Sequence, residues 1–340
     1  MQAAALVLRV ADGVWRLTTP LPFRPREVHA YLLQGEEGAF VLVDGGANTD
    51  DAWAALDAGV QEVAGQWQRV TAHVVTHMHL DHFGLARRVR EASRAPLLMH
   101  RLDAERAAHA EAQPEEEADY RQELLRQSGA PEELILAVTA GREEAVPLTG
   151  FVAADVLLEG EAGALPGVEG WQFVWTPGHT AGHLSLFRAA DRVLVAGDAV
   201  LPRITPTIGV NRQRSDPVGD YLDALQRLER LNPTLGVAGH DELIKDPPER
   251  LRELRDATQQ ENKRVDDCLA EDAVSAWEIV RRRYPGRELP PSVQMLALRE
   301  TLAHLQHLVL SERARSVRLG DEIVGFAREQ VRGGPAPRHL

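Results

Sequence analysis

Six consecutive residues, His77 to His82 in the stretch "VVTHMHLDHFG", contain three histidines and an aspartate. Imidazole and carboxylate groups are the ordinary ligands of borderline divalent metals. Packed this closely, they gain little from one another unless a cation joins them. A strand running to about Thr76 releases His77 and His79 toward the same side, because side chains alternate along extended backbone. Asp81 opens the next helix, where a carboxylate suits the N-terminal end of the helix dipole, and His82 follows at once. Two ligand pairs thus leave one loop at different angles. That arrangement fits two adjacent metals better than one, yet it fills only part of two shells, since zinc takes about four ligands. Three later segments offer the remainder: "TPGHTAGH" with His179, "VAGD" with Asp198 and "VAGH" with His240. In each, an apolar strand ends in a glycine turn that presents one ligand-capable side chain.

The elements that must hold these groups are legible in outline. "AALVLRV", "GVWRLTT", "VHAYLLQG" and "AFVLVDGG" predict strands separated by Gly- or Pro-bearing turns. "TDDAWAALDAGVQEVAGQ" predicts an amphipathic helix capped by Thr49 or Asp50. "VTAHVVT", "DHFGLARRVREAS" and "APLLMH" then predict strand, helix and strand, so helices should cover part of the sheet. Residues 101–145 break this rhythm and predict two or three inserted helices. "ADVLLEG", "WQFVWT", "HLSLFRA" and "RVLVAGD" return to strands. "SDPVGDYLDALQRLERL" predicts a helix with Ser215 as N-cap and an apolar face of Tyr221, Leu222, Leu225, Leu228 and Leu231. "PTLGVAGH" is the last strand of this part. From "DPPERLREL" onward the chain reads as helical, closing on a helix and two short strands around "LGDE".

"THMHLDHFG", "PGHTAGH", "GD" and a late "GH", in this order and at this spacing across residues 1–245, resemble the metallo-β-lactamase-fold superfamily, including its glyoxalase II-type hydrolases. The resemblance implies an α/β fold, the αββα four-layer sandwich. It implies that His77, His79 and His179 bind a first metal, that Asp81, His82 and His240 bind a second, and that Asp198 bridges them. The true β-lactamases usually carry Cys where this chain has Asp198, which favours the glyoxalase, thioesterase, lactonase and nuclease side of the superfamily. His183, the second His of "HTAGH", is expected to support the ligand loop rather than to bind metal. The last hundred residues resemble the helical, winged-helix-like extension of some members, among them the lactamase-beta-like protein two type. The expected division is therefore a catalytic domain at 1–245 with its helical insertion at about 101–145, a helical winged-helix-like domain at 246–330, and a disordered tail at 331–340.

The reaction so implied is hydrolysis by a metal-bridging hydroxide, with two divalent ions lowering the pKa of the shared water and polarising the attacked carbonyl or phosphoryl group. Asp81 would orient the nucleophile and receive its proton. Zinc is the default metal, with iron or manganese compatible with the same donors. The substrate class expected is a small ester, thioester or lactone. The loop "GDAVLPRITPTIGVNRQRSDP" leaves the site directly, and Arg203, five residues past Asp198, is its expected anion-binding side chain; Arg212 and Arg214 follow. A metal-dependent endoribonuclease is the alternative. A single-iron persulfide oxidation or a non-catalytic regulator is a third reading, disfavoured by the complete second ligand set.

Composition narrows the partners. The formal net charge is −13 over 340 residues, and residues 101–150 carry 5 basic against 12 acidic groups. Such a surface repels phosphate backbones and anionic lipid. Residues 241–340 are near balance, with 17 basic and 18 acidic groups, so a nucleic-acid partner is disfavoured there too. A wing of this kind can instead shape the active site or mediate homodimerisation. The one cysteine, Cys268, excludes an internal disulfide and reads as a packed helix residue in a reducing, cytoplasmic setting. "MQAAALVLRVADG" has no basic region before its apolar run and reads as a first strand, not a signal peptide. No stretch is apolar for roughly 18 residues, so no membrane span is expected. His73, His304 and His307 read as packing or surface residues, while His100, at the end of "PLLMH", reads equally as pocket-facing or as a packing residue.

Overall fold

The computed structural model describes residues 6–145 and 148–329. A seven-stranded sheet is laid down in chain order: β1 (Leu6–Ala11), β2 (Val14–Pro20), β3 (Glu27–Gln34), β4 (Phe40–Val43), β5 (Val70–Val74), β6 (Leu97–His100) and β7 (Val156–Leu158). Its first four strands are antiparallel hairpins, and β4 to β7 run parallel. The parallel half needs crossovers, which α1 (Asp50–Ala64) and α3 (Ala86–Ser93) supply. A five-stranded sheet follows, from β8 (Ala162–Ala164), β9 (Trp171–Trp175), β10 (Leu184–Arg188), β11 (Val193–Gly197) and β12 (Leu235–Ala238), with only β11 and β12 parallel.

The two sheets face each other, and alternation along single strands shows it. In β4, Val41 and Val43 point inward, packing with Leu184, Leu186, Val195 and Val237 of the second sheet. Phe40 and Leu42 point outward against Leu56 and Val60 of α1 and Val89 of α3. In β11, Val193 and Val195 join the layer between the sheets, while Leu194 and Ala196 face outward. Strands buried on both faces read as unbroken apolar runs, which is why "FVLV" and "VLVAG" lack a polar side. With α7 (Pro217–Leu231) and α8 (Pro247–Asp267) outside the second sheet, the layers are helix, sheet, sheet, helix, as the resemblance implied.

The insertion at 101–145 is three helices, α4 (Arg101–Ala112), α5 (Pro114–Gln127) and α6 (Glu132–Ala145). The C-terminal part adds α9 (Ala276–Arg283), α10 (Pro291–Leu310) and a small sheet of β13 (Val274–Ser275), β15 (Ile323–Arg328) and β14 (Ala314–Leu319), in that order. Its core is not separate. Tyr221, Leu225 and Leu228 of α7 belong to one buried cluster with Leu251 and Leu254 of α8, Leu298, Leu305 and Leu308 of α10, and Leu125 and Ile135 of the insertion. Each such side chain stabilises the fold by about 1.5–3 kcal/mol relative to leaving it in water. The position of α10 is thereby fixed with respect to the second sheet.

Three local expectations are corrected. The helix expected over 81–93 is two: α2 (Leu80–Phe83) ends where Leu85 donates its N–H to Gly46 O at 2.9 Å, and α3 starts anew. The N-cap of α7 is Asp216, whose carboxylate accepts from Gly219 N at 2.9 Å, not Ser215. Strands β8 and β13 were not foreseen, being too short and weakly patterned to announce themselves. Thr49 caps α1 as expected, accepting from Ala52 N at 3.1 Å. Among the described residues no helix is long and apolar enough to cross a membrane. The N-terminal reading from Leu6 is met by β1, and the tail at 331–340 lies outside the described residues.

Candidate metal centre

All four ligand-bearing motifs end at the same edge of the two sheets. Thr76 and the loop to α2 follow β5, His179 lies between β9 and β10, Asp198 follows β11 and His240 follows β12. The sheets are tied together there by His29 N donating to Gly239 O at 2.8 Å. Three groups of ligand atoms result, each within 4.8 Å of one another: His77, His79 and His179; His77, His82 and Asp198; and Asp81, His82 and His240. Among the described residues these groups draw on the seven expected side chains and on no others.

The first group is three imidazole nitrogens aimed at one another. His79 Nδ1 lies 3.0 Å from His77 Nε2 and 2.9 Å from His179 Nε2. Burial holds all three histidines below their usual pKa, His79 at about 3, with the neighbouring imidazoles adding to the effect on His77 and His79. They are neutral donors at pH 7, the state a metal requires. Across the other two groups, Asp198 Oδ1 is 3.5 Å from His82 Nε2, and Asp198 Oδ2 is 3.5 Å from His240 Nε2. Asp81 Oδ2 lies 3.4 Å from His240 Nε2. Asp198 Oδ2 is also 3.8 Å from His179 Nε2, so this carboxylate borders the three-histidine group as well.

Electrostatically the second half calls for positive charge. Burial works against a charge on His82, but Asp198, Asp44 and Asp81 outweigh it and hold its pKa well above normal. His240 is likewise opposed by burial but raised to about 10 by hydrogen bonds to Asp198 and Asp81. For Asp81, burial is overcome by His82 and by the His240 hydrogen bond, so that it sits at about 2.

Whether the residues suit a metal can be judged from what their other atoms do. His82 Nδ1 donates to Asp44 Oδ2 at 2.8 Å, His179 Nδ1 to Thr207 O at 3.0 Å and His240 Nδ1 to Glu27 O at 2.9 Å. Carbonyl and carboxylate oxygens only accept, so these three rings carry a proton on Nδ1 and aim Nε2 into the site; on His82 and His240, whose pKa values are raised, a metal would bind by displacing the Nε2 proton. The His82 Nε2 and Asp198 Oδ1 atoms are buried and have no hydrogen-bond partner among the described residues. Buried orphans of this kind are costly in isolation. Two of them facing each other at 3.5 Å fit a bound cation.

Several residues that hold the site carried no clear signal in the sequence. Asp44 is buried and accepts from Thr76 N at 2.7 Å, Thr76 Oγ1 at 2.8 Å and His82 Nδ1. It has φ 60°, a left-handed conformation that Asp and Asn tolerate better than most residues. Its segment "VLVDGG" has the pattern of "VAGD" and "VAGH", an apolar strand ending in glycine and a ligand-capable side chain, and that could have flagged it. Asp103, at the start of α4, accepts from Met78 N at 2.9 Å, Thr180 Oγ1 at 2.8 Å and Gly182 N at 2.6 Å. It ties the "HMHLDH" loop to the "PGHTAGH" loop, and burial raises its carboxyl to about 6. Nothing in the acidic helical run singled it out. Gly239 admits the close approach of β12, since a Cβ there would lie 2.3 Å from Asp198 Oδ1 and 2.6 Å from His82 Cε1.

The remaining candidates are placed as follows. His183 is fully buried, accepts from Asp198 N at 2.9 Å through Nε2 and contacts Thr176 Oγ1 at 2.7 Å through Nδ1, a supporting position outside the ligand groups. His73 bonds to Asp44 O at 3.2 Å, and His100 stacks on Trp175 with ring centroids 5.3 Å apart. His304 is buried beside Asn262, and His307 contacts Asp216 at 3.0 Å. Arg203 does not reach into the centre: its Nε and Nη2 each lie 2.8 Å from Glu242 carboxylate oxygens, with its side chain 67% exposed. Its charge is met at the surface. Arg214 pairs with Asp220 at 2.6 Å. Tyr221 is core, its hydroxyl donating to Ala199 O at 2.9 Å. Cys268 ends α8, and burial raises its thiol pKa.

The sequence model described as the metallo-beta-lactamase superfamily matches residues 23–240, well over half of the chain and the whole stretch that carries the ligands. The chain belongs to the metallo-β-lactamase superfamily. Among its curated relatives, the probable metallo-hydrolase YqjP of Bacillus subtilis (strain 168) is 26% identical over 92% of this chain and 97% of its own length. The beta-lactamase-like protein 2 homolog of Caenorhabditis elegans is 23% identical over 88% of this chain and 85% of its own. A solved metallo-beta-lactamase family protein from Thermus thermophilus superposes with a TM-score of 0.78 at 29% identity, covering 94% of this chain and 100% of that one. These likenesses extend through the C-terminal part beyond residue 240. A metal-binding hydrolase is what the family, the relatives and the ligand cluster together support.

Proposed function

We propose that this superfamily member is a binuclear metal-dependent hydrolase of a small ester, thioester or lactone. The observation that carries the reading is the pair of buried, unpartnered ligand atoms, His82 Nε2 and Asp198 Oδ1, beside the three converging imidazoles of His77, His79 and His179. One group suits a first cation and the other a second, with Asp198 shared. Zinc is the default occupant, with iron or manganese compatible with the same donors. Metals so held would supply an acidified water, with a pKa near about 7, and Lewis acidity toward the acyl oxygen.

The chain's own contribution is to fix and polarise. Asp44, Thr207 O and Glu27 O lock the ring orientation of His82, His179 and His240. Asp81, ionised and 16% exposed, is the carboxylate of the set that meets the open side of the centre. It accepts a hydrogen bond from the attacking water and so orients its lone pair toward the substrate carbonyl. No side-chain nucleophile is required. The acidic surface and near-neutral C-terminal part favour a small molecule over RNA.

Metal analysis of the purified protein together with a hydrolysis panel tests this, with His79→Ala as the blank. About two divalent ions per chain, and ester or thioester cleavage lost in the variant, are expected. One iron per chain with persulfide oxidation, or RNA cleavage with steep salt dependence and no esterase activity, would replace the reading.

A further inference from the structure

Arg299 lies on α10, far along the chain from every ligand, yet it is packed against the loop that leaves the metal centre. Its Nη2 donates to Val210 O at 3.2 Å, and Val210 N donates back to Arg299 O at 3.2 Å. Gly209 lies against its side chain, where a Cβ would come within 3.3 Å of Arg299 Nε. Three residues before Val210, Thr207 O holds the ring of His179. The guanidinium is therefore fixed one short backbone step from a ligand. Its charge reaches His79 in the same three-histidine group.

The surroundings of Arg299 leave that charge uncompensated. Its electrostatic neighbours are Tyr120 of α5 and Arg106 of α4. Arg106 is paired to Glu117 through both terminal guanidinium nitrogens, Nη1 and Nη2. Arg212, whose guanidinium stacks 4.9 Å from the Tyr120 ring centroid, also reaches Glu117, at 3.4 Å. His109 lies 3.6 Å from the same carboxylate and 3.3 Å from Glu116. Arg106 and Arg212 thus share Glu117, while among the described residues Arg299 makes no ion pair. Burial, with the like charge of Arg106, works against the protonated form. Holding a half-buried guanidinium beside other cations is unfavourable unless an anion completes it, and a guanidinium fork matches a carboxylate or phosphate in two-point geometry.

We propose that Arg299, delivered from the C-terminal helix, is the recognition residue for an oxyanion carried by the substrate, a carboxylate or phosphate at the end of its acyl or leaving group. This deepens the hydrolase reading and rests on it. It gives the C-terminal part a function in catalysis, as the wall that selects charged over neutral substrates. The anion seat lies on the side of the three-histidine group, with Arg212 and Tyr120 bordering it.

The test compares the metal-loaded wild type with Arg299→Gln and Arg299→Lys on two matched esters, phenyl butyrate and phenyl hydrogen succinate, which differ in terminal charge. The wild type is expected to favour the succinate in kcat/KM by about tenfold or more. Arg299→Gln should reduce that ratio by about tenfold, mainly through KM, and Arg299→Lys should retain part of it. An unchanged ratio in Arg299→Gln overturns the proposal. Calorimetric titration of the same proteins with succinate and with inorganic phosphate gives a readout that needs no turnover and separates the two oxyanions. Weaker binding of one or both in Arg299→Gln, with restoration in Arg299→Lys, supports the seat. Equal affinities in all three proteins would refute it even where neither ester is cleaved, which by itself counts against the hydrolase reading only.

Discussion

Asp44 Oδ2 stands 2.8 Å from His82 Nδ1, and Asp44 itself has φ 60°. The carboxylate fixes which nitrogen of His82 faces Asp198, so it sets a ligand without being one. Such outer partners typically change metal affinity by about 10–100-fold. Asp44→Asn keeps the size and tolerates the backbone conformation, but it removes the charge. Its metal content after dialysis, measured by atomic emission, is expected to fall from about two ions per chain to about one. Retention of both ions at wild-type affinity would contradict the role assigned to Asp44.

Gly239 makes a sharper case, because the conflict there is steric. A Cβ at this position would overlap Asp198 Oδ1 and His82 Cε1. Gly239→Ala must displace one of the two ligands, and sub-ångström displacement in a metal shell is costly. We expect hydrolysis to drop at least about a hundredfold with the circular dichroism spectrum kept. A variant with wild-type rate would show that the shell repacks freely.

Asp103 joins two ligand loops through three accepted hydrogen bonds. Asp103→Ala leaves Met78 N, Thr180 Oγ1 and Gly182 N without that acceptor, each at a cost of about 1 kcal/mol or more. Urea unfolding of the metal-loaded protein should show a loss of about 3 kcal/mol, partly recovered in Asp103→Asn, whose amide oxygen still accepts. A change under about 0.5 kcal/mol would mean that solvent replaces the carboxylate.

Burial holds His304 neutral, with a pKa of about 4 in the folded protein against 6.5 unfolded. The unfolded chain therefore takes up this proton first as pH falls below 6.5. Stability that His304 permits above pH 6.5 is lost on going down toward pH 4, by up to about 1.4 kcal/mol per pH unit. His29, His73 and His100 have the same sign, each at about 4. His304→Gln is expected to flatten the fall in urea midpoint between about pH 6.5 and 4.5 by one proton's worth. Parallel profiles for wild type and variant would rule this out.

Much of the architecture was legible because both faces of its central strands are apolar and its turns are marked by glycine. "FVLV" and "VLVAG" announce strands whatever they pack against, and propensity alone predicts a helical insertion of two or three helices, of which the fold forms three. Boundaries decided by tertiary hydrogen bonds were not legible. The break between α2 and α3 depends on Leu85 finding Gly46 O, and the cap of α7 on Asp216 rather than its neighbour reaching Gly219. Sequence patterns carry no information about which distant carbonyl lies within reach.

The seven candidate ligands could be named from the sequence because His77, His79, Asp81 and His82 crowd one short stretch, while His179, Asp198 and His240 each stand at a strand-end glycine turn. What only the tertiary structure decided is which charges are already answered. Arg203, near Asp198 in sequence, is met by Glu242 from another loop. Arg299, about a hundred residues from Asp198, is brought to the His79 side of the centre with no ion-pair partner among the described residues. Coulomb energy falls with distance in space, not along the chain, so the ligands could be read in order while the charges around them required the fold.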